Sequence, residues 1–451
     1  MAKPKPIDLS RMLRRNEGRR LARALQRLDA VQIARELDSF GAEQQDHILQ
    51  ILPVERRAEV FAELRYETAA EIVRRLAPQE AADILDDLEH DDVADILGRL
   101  EEQQLRQILA RLEPQHADQV EELLGYDENS AGGIMSPDFI KVYDNVTMSE
   151  AVRTIQELDE PPDHAFYVYV VDEDERLVGV VSLRQLLTSK RDDSVRETMV
   201  TELQYVDREA DQEVVAEVAM RYDLTAVPVV DEQRRLVGVV TIDDIVDVIR
   251  EEATEDILKM AGAGEELFET RAFWSSLRVR MPWLFAAAIG GVLVAFALSG
   301  FENALQAVPV LALFMPVIAG MGGNVGTQSS TIVVRGLAVG YVEVNAVSRL
   351  IFREMALGLT LGLFYGVLIA LAAPFIGSDD VDPVALGGVL TLGMMGSMTI
   401  AATVGTSIPL LMHSLKIDPA VSTGPFVTTA VDILGLMFYF WLATVLLGVS
   451  M

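Results

Sequence analysis

The sequence predicts a multidomain chain. It comprises an α-helical superhelical N domain, an α/β tandem pair, an acidic connecting helix and an all-α membrane domain of five transmembrane helices. Three observations predict this. A large apolar residue recurs every twelve positions early in the chain. The segment Arg-Leu-Val-Gly-Val-Val-(Ser/Thr) occurs twice, at Arg176–Ser182 and Arg235–Thr241. Charge is lopsided: of 69 acidic and 38 basic residues, only eight and four lie beyond Met281, where nearly all the long apolar runs fall. An acidic, water-soluble half therefore precedes a membrane half.

The net charge of −31 argues against nucleic acid as a partner. It suits a hard cation, or solubility alone. The absence of cysteine excludes disulfides, thiolate nucleophiles and soft-metal sites. The five histidines are scattered, without zinc-type spacing. The N-terminus opens no apolar run, so no cleavable signal is expected.

Leu28, Phe40, Leu52, Leu64, Leu76, Leu88, Leu100, Leu112 and Leu124 form the twelve-residue series. Pairs such as Ile72-Val73, Ile84-Leu85 and Ile96-Leu97 precede its members. Each unit reads as a short amphipathic helix, with Pro53, Pro78 and Pro114 marking turns. Stacked units bury a core that none buries alone, so a small α-solenoid is expected. Within it, Asp91 and Asp95 lie one turn apart. That face is either solvated or cation-binding.

The two repeated segments each read as a buried strand feeding a helix N-terminus. With Ser130-Ala-Gly-Gly-Ile-Met-Ser-Pro137 before them, they resemble a tandem pair of CBS domains. That resemblance implies a dimerising regulatory module which often binds adenine nucleotides such as ATP. The hydroxyl-x-x-acid pattern associated with ribose binding is present as Thr241 to Asp244. Its counterpart, Ser182 to Gln185, lacks the acid. The expected divisions are 1–130 for the N domain, 131–199 and 200–246 for the CBS pair, 247–281 for the connector and 282–451 for the pore domain.

The connector carries Asp247, Glu251, Glu252, Glu255 and Asp256, several at i, i+4 spacing. Like charges so placed repel and weaken a helix, and a divalent cation would relieve them. A solvated face and a cation-sensing face are both open; the connector's place between sensor-like module and membrane favours sensing. A second helical stretch is expected from Glu265 to about Arg280.

Five apolar stretches follow: Trp283–Phe301, Val308–Val334, Met355–Gly377, Val384–Met412 and Ala420–Val449. Arg271, Arg278, Arg280, Arg335, Arg349, Arg353 and Lys416 all fall on one side of them. The positive-inside rule therefore expects cytoplasmic N-terminal domains and an outside C-terminus. The second stretch holds Gly320, Gly322, Gly323, Asn324, Gly326, Thr327 and Gln328. Small and amide residues at membrane depth mark a wet path or a glycine-packed interface. The last stretch carries Asp432, with Gly424 and Thr428 at i−8 and i−4. An intramembrane carboxylate costs about 2.5–3.5 kcal/mol on insertion scales, so it faces water or a bundle interior.

Gly-Met-Gly-Gly-Asn-Val-Gly-Thr-Gln328, the Asp418-Pro…Thr-Gly-Pro…Thr-Thr…Asp432 pattern and the segment before the CBS pair resemble the MgtE family of bacterial Mg²⁺ channels. The likeness runs along nearly the whole chain. It implies a homodimer in the bacterial inner (plasma) membrane that takes up Mg²⁺ and is closed by cytoplasmic Mg²⁺. Residue by residue, it implies Asp432 as the pore carboxylate with Thr428, Gly424 and Asn324 nearby, and Asp418 at the cytoplasmic mouth. Regulatory Mg²⁺ would bind Asp91, Asp95 and the acids of the connector, or "plug", helix. Thr241 and Asp244 would touch a nucleotide. Family members often have Asn-Thr-Gly-Asn-Gln where this chain has Asn-Val-Gly-Thr-Gln, which leaves the Asp432 site intact. The rival class is a CBS-regulated secondary transporter of a divalent cation or small polar solute. An intramembrane enzyme is not expected, because the apolar stretches offer one central acid and no dyad.

Overall fold

The computed structural model describes the chain except residues 1–8, 15–17, 159–165, 264–272, 339–346, 377–380, 423 and 449–451. It forms two compact units, Met1–Ile249 and Arg250–Met451.

In the first unit, short helices follow one another from Leu9 to Leu123. The twelve-residue series has a simple cause: each repeat is a helix of two to three turns plus a tight turn. The apolar pairs fill the last helical turn; Ile72, Val73 and Leu85 are fully buried. The series residue itself lies just past the helix end, and its amide donates back to a late carbonyl. Examples are Leu52 N to Ile48 O (3.0 Å), Leu88 N to Leu85 O (3.1 Å) and Leu100 N to Leu97 O (3.0 Å). Its side chain meanwhile covers the core, as at Leu52, Leu64, Leu88 and Leu112. Pro78 and Pro114 open their helices, where a missing N–H loses nothing.

The tandem pair gives two sheets of one design. β1 (Ile140–Tyr143) pairs parallel with β2 (Tyr167–Val171), which pairs antiparallel with β3 (Leu177–Ser182). β4 (Val206–Asp207), β5 (Ala226–Val230) and β6 (Leu236–Thr241) repeat this order and these directions. The repeated glycines have equivalent tasks. A Cβ on Gly238 would meet the Met135 side chain at 2.5 Å, and one on Gly179 would collide with Met199. Met135 thus lies against β6, and Ser136 N donates to Val239 O at 2.8 Å. The helical array and the second sheet share one core, running from Leu9 through Leu123 to Val227, Val229, Val240 and Ile245.

The helix Ile242–Met260 leaves β6 directly and is unbroken despite its acids. It ends at Gly262, whose φ of +68° is a left-handed cap. Of the stretch expected from Glu265 to about Arg280, the part up to residue 272, with Gly264 and Arg271, lies outside the described residues, and the rest opens the helix Phe273–Ser299. Residues 378–380 and the end of the last apolar stretch at Val449 also lie outside the described residues.

Among the described residues, the second unit contains five helices long and apolar enough to cross a membrane: Ser276–Ser299, Val310–Ala338, Val347–Ala370, Pro383–Ser414 and Pro425–Leu447. We call these the first to fifth spans. The third starts eight residues earlier than its apolar run, so Arg349, Arg353 and Glu354 lie inside the helix. Its Gly358, Gly362 and Gly366 meet the backbone of the fourth span. A Cβ on Gly362 would stand 2.5 Å from Met395 Cα, and one on Gly366 2.8 Å from Thr391 Cα. Backbones approach this closely only through glycine. Gly362→Val should therefore separate the two helices and lower detergent stability by about 1–3 kcal/mol, the range for overpacking. A melting curve of the purified chain checks this; an unchanged curve would refute the tight contact.

Candidate cation sites

The fifth span begins at Pro425, with Gly424 as its cap rather than a helical residue. Proline suits the first turn, and the first half of the apolar run beyond it is broken by Thr428, Thr429 and Asp432. The Thr428 hydroxyl donates to Gly424 O at 3.1 Å. The Gly424 carbonyl is therefore already an acceptor within the chain, and Thr428 keeps lone pairs to offer. Asp432 is half-buried and has no hydrogen-bond or ion-pair partner among the described residues. Beside it, Val431 is buried against the second span, where a Cβ on Gly326 would stand 3.0 Å from Val431 Cγ2. Asn324, Thr327 and Gln328 are exposed on a single chain. Asn324 is two residues from both Gly322 and Gly326, roughly 200° around the helix from the face that meets the fifth span. One chain therefore does not bring Asn324 to Asp432.

At the foot of the fifth span, Asp418 accepts from Ala420 N at 2.8 Å. Its other oxygen meets Lys259 Nζ at 2.7 Å. Lys259 also pairs with Glu255 at 2.6 Å, one helical turn back. Burial opposes the charge on Lys259, but hydrogen bonds to Asp418 and Glu255 hold its ammonium above its ordinary range. Burial, then the nearby Asp418 carboxylate, pushes Asp256 up. Glu255, expected only to repel its neighbours on the connector, and Asp418 thus share a lysine that the sequence analysis did not weigh.

In the first unit, the helix His90–Gly98 brings its acids to the start of the helix Ile242–Met260. Tyr66 Oη donates to Asp92 Oδ1 at 3.0 Å, and Thr241 Oγ1 donates to Asp244 Oδ2 at 2.9 Å. Asp91 is half-buried, and its Oδ1 is buried without a hydrogen-bond partner. Burial, then the Asp244 charge, raises Asp91 well above the carboxylate range. Burial raises Asp92 to about 6, against the Tyr66 hydrogen bond and with help from Glu89. Burial and Asp243 raise Asp244 to about 7, with Asp92 and Asp95 adding to the push. Asp95, expected beside Asp91, contributes its field here, and its carbonyl accepts from Arg99 at 2.7 Å. Asp92, Asp243 and Tyr66 were not singled out by sequence spacing. Thr241 and Asp244, read as ribose contacts, are bonded to each other and face this acidic group. Asp247, Glu251 and Glu252 lie further along the same helix.

Among the described residues, no three His, Asp or Glu side chains are placed to enclose a metal ion. A cation at any of these places would keep most of its water, as Mg²⁺ does, or share ligands with a second chain.

The profile described as "Divalent cation transporter" matches residues 315–442, which include Asn324 and Asp432. The MgtE intracellular N domain matches 28–129, and the CBS domain matches 131–192 and 195–251. The magnesium transporter MgtE of Bacillus subtilis (strain 168) is 38% identical over 326 residues, covering 72% of this chain and 71% of the relative. The chain belongs to the MgtE family.

The Thermus thermophilus magnesium transporter MgtE is 37% identical over 331 residues, covering 73% of this chain and 72% of that one. A solved cytosolic domain of the Mg²⁺ channel MgtE in complex with ATP is 36% identical, with a TM-score of 0.49. It covers 53% of this chain and 98% of that one. Membership in the MgtE family bears out the resemblance read from the two membrane motifs and the duplicated strand. Sequence reasoning missed Glu354, a buried carboxylate in the third span. Its signal was present: Glu354 precedes Gly358, Gly362 and Gly366 at the same four-residue spacing.

Proposed function

We propose that this MgtE-family chain conducts Mg²⁺ into the cell across the plasma membrane, as a homodimer that cytoplasmic Mg²⁺ closes. One observation carries the reading: Asp432 lies inside the fifth span, half-buried and without a partner among the described residues. Such a carboxylate needs water, an ion or a second chain. Two symmetry-related Asp432 side chains facing one axis would repel, and a hydrated divalent ion between them relieves that repulsion. The exposed amides of the second span also suit a wet or dimeric surface. The basic flanks put the soluble domains in the cytoplasm and the C-terminus outside.

For closure, the acids Asp91, Asp92, Asp95 and Asp244 are held together at a cost that bound cations would remove. Asp247, Glu251, Glu252, Glu255, Asp256 and Asp418 are the further acids that would take regulatory Mg²⁺. An adenine nucleotide at the second CBS unit, taking Thr241 and Asp244 as ribose contacts, would have to replace their mutual hydrogen bond.

The test is current through inside-out patches, with Mg²⁺ as permeant ion and cytoplasmic Mg²⁺ stepped from near zero to about 10 mM, a range that brackets weak carboxylate sites. Discrete openings that close as Mg²⁺ rises support the reading. Slow liposome uptake without unitary current, coupled to a proton or Na⁺ gradient, would replace it with the secondary-transporter reading.

Lys259 gives a separate expectation. Its ammonium ties the connector to Asp418 without any metal. Lys259→Met leaves Glu255, Asp256 and Asp418 to repel, so open probability near zero Mg²⁺ should rise by about three- to tenfold, the scale of a partly buried ion pair. Current in Mg²⁺-free cytoplasmic solution checks it. An unchanged open probability would show that the lysine bridge does not restrain the connector.

A further inference from the structure

Glu354 is 4% exposed, inside the third span. Ser329 Oγ of the second span donates to its Oε2 at 3.0 Å. Its Oε1 is buried and accepts no hydrogen bond. Arg353 comes within 3.6 Å of that oxygen, but its own side chain is 66% exposed. A carboxylate with one neutral donor and one long ion pair is a net cost in an apolar span. Stability alone gives no reason to keep it there.

Its surroundings give another reason. Around Val431, the second span meets the fifth through glycine. A Cβ on Gly322 would stand 3.3 Å from Val431 Cγ1, and one on Gly326 3.0 Å from Val431 Cγ2. Gly326 O also lies close under Gly405 of the fourth span. Glycine faces set how near two helices come, but they offer no knobs to fix height or rotation. A directional hydrogen bond does. Ser329 is three residues from Gly326, hence near the same side of the second span, and Val431 adjoins Asp432.

We propose that Glu354 is a positioning residue for the fifth-span carboxylate. Its bond to Ser329 fixes the register of the second span, whose glycine face seats Val431 and so orients Asp432. This rests on the reading of Asp432 as the transport carboxylate.

The test uses the full chain in liposomes. Glu354→Gln keeps an acceptor for Ser329 without the charge; Glu354→Leu removes both; Ser329→Ala removes the donor. Gln should stay within about twofold of the parent Mg²⁺ flux, while Leu and Ser329→Ala each lose roughly tenfold, the scale of one buried hydrogen bond. The Leu/Ala double variant should be no worse than either single, because the two residues act as one unit. The Mg²⁺-to-Ca²⁺ flux ratio should fall with Leu and hold with Gln, a change that mere loss of folded protein would not produce. The chain has no cysteine, so Gly326→Cys with Val431→Cys reports the spacing directly. Its cross-linking rate should fall with Leu and hold with Gln.

Additive losses, or a Gln variant as impaired as Leu, would overturn the proposal. If Glu354→Leu fails to fold, Ser329→Ala and Gln carry the same comparison. If the parent itself passes no Mg²⁺, the transport reading fails. The cross-linking series then decides the positioning role: the stated order upholds it, and equal rates overturn it.

Discussion

Asp432→Ala is expected to lower Mg²⁺ flux by at least about a hundredfold while leaving the chain as stable as the parent or more so, because an intramembrane carboxylate costs about 2.5–3.5 kcal/mol to insert. The two effects have opposite signs for one reason. Among the described residues Asp432 has no bond that the substitution breaks, so packing loses little: the neighbouring Val431, Gly435 and Leu436 supply the buried contacts. What is lost is the single ionised group of the fifth span, and with it the field that favours a divalent ion over water or a monovalent ion. Asp432→Asn should share most of the loss, since shape is kept and charge is not. Thr428→Val should do less, because that hydroxyl is already bonded to Gly424 O. Liposome flux beside a melting curve separates these outcomes. Flux that survives in the alanine variant would remove Asp432 from the ion path. Flux and stability falling together would make it a packing residue.

The second large effect is a pH dependence in the first unit. Asp92 and Asp244 are raised to about 6 and about 7. Raised folded values mean that the packing of the helix His90–Gly98 near Thr241 and Asp244 is most favourable below about pH 4, the ordinary aspartate value. That contribution is lost as pH rises through 6 to 7, when both groups must ionise while buried. Asp92→Asn with Asp244→Asn should thus raise the melting temperature of the first unit's transition at pH 7.5 and change it little at pH 4.5. The gain is on the order of 2 kcal/mol per group, less than additive because the two interact. Mg²⁺ at pH 7.5 should stabilise the parent, since a ligand that binds only the compact form shifts it by mass action. The double variant should lose most of that shift. Equal stabilisation at both pH values, or an undiminished Mg²⁺ effect in the variant, would show that the cluster is not charged and strained at neutral pH.

The part of this protein legible in the sequence is the part set by neighbours along the chain. A helix of two or three turns and its closing leucine repeat every twelve residues, so the array could be read off Leu52 to Leu124. The Arg-Leu-Val-Gly-Val-Val segments became β3 and β6, each ending on a hydroxyl that opens a helix. Twenty or more apolar residues can do little but span, and the five spans appear in order, with boundaries moved by up to eight residues. Asp432 was legible because a lone carboxylate in such a run is conspicuous without any fold.

Which charge meets which was not legible. Lys259 reaches Asp418 across 159 residues, and Glu354 meets Ser329 across 25. Asp91, Asp92 and Asp244 come together only because the helical array and the second sheet share one core. Spacing within a helix foretold repulsion between Glu255 and its neighbours, whereas the folded chain puts an ammonium among them. Periodicity and composition are short-range properties that any local conformation must obey. Partner choice depends on long-range packing: a buried charge or hydrogen-bonding group takes whatever the core brings within about 3 Å of it, and only the tertiary structure decides what that is.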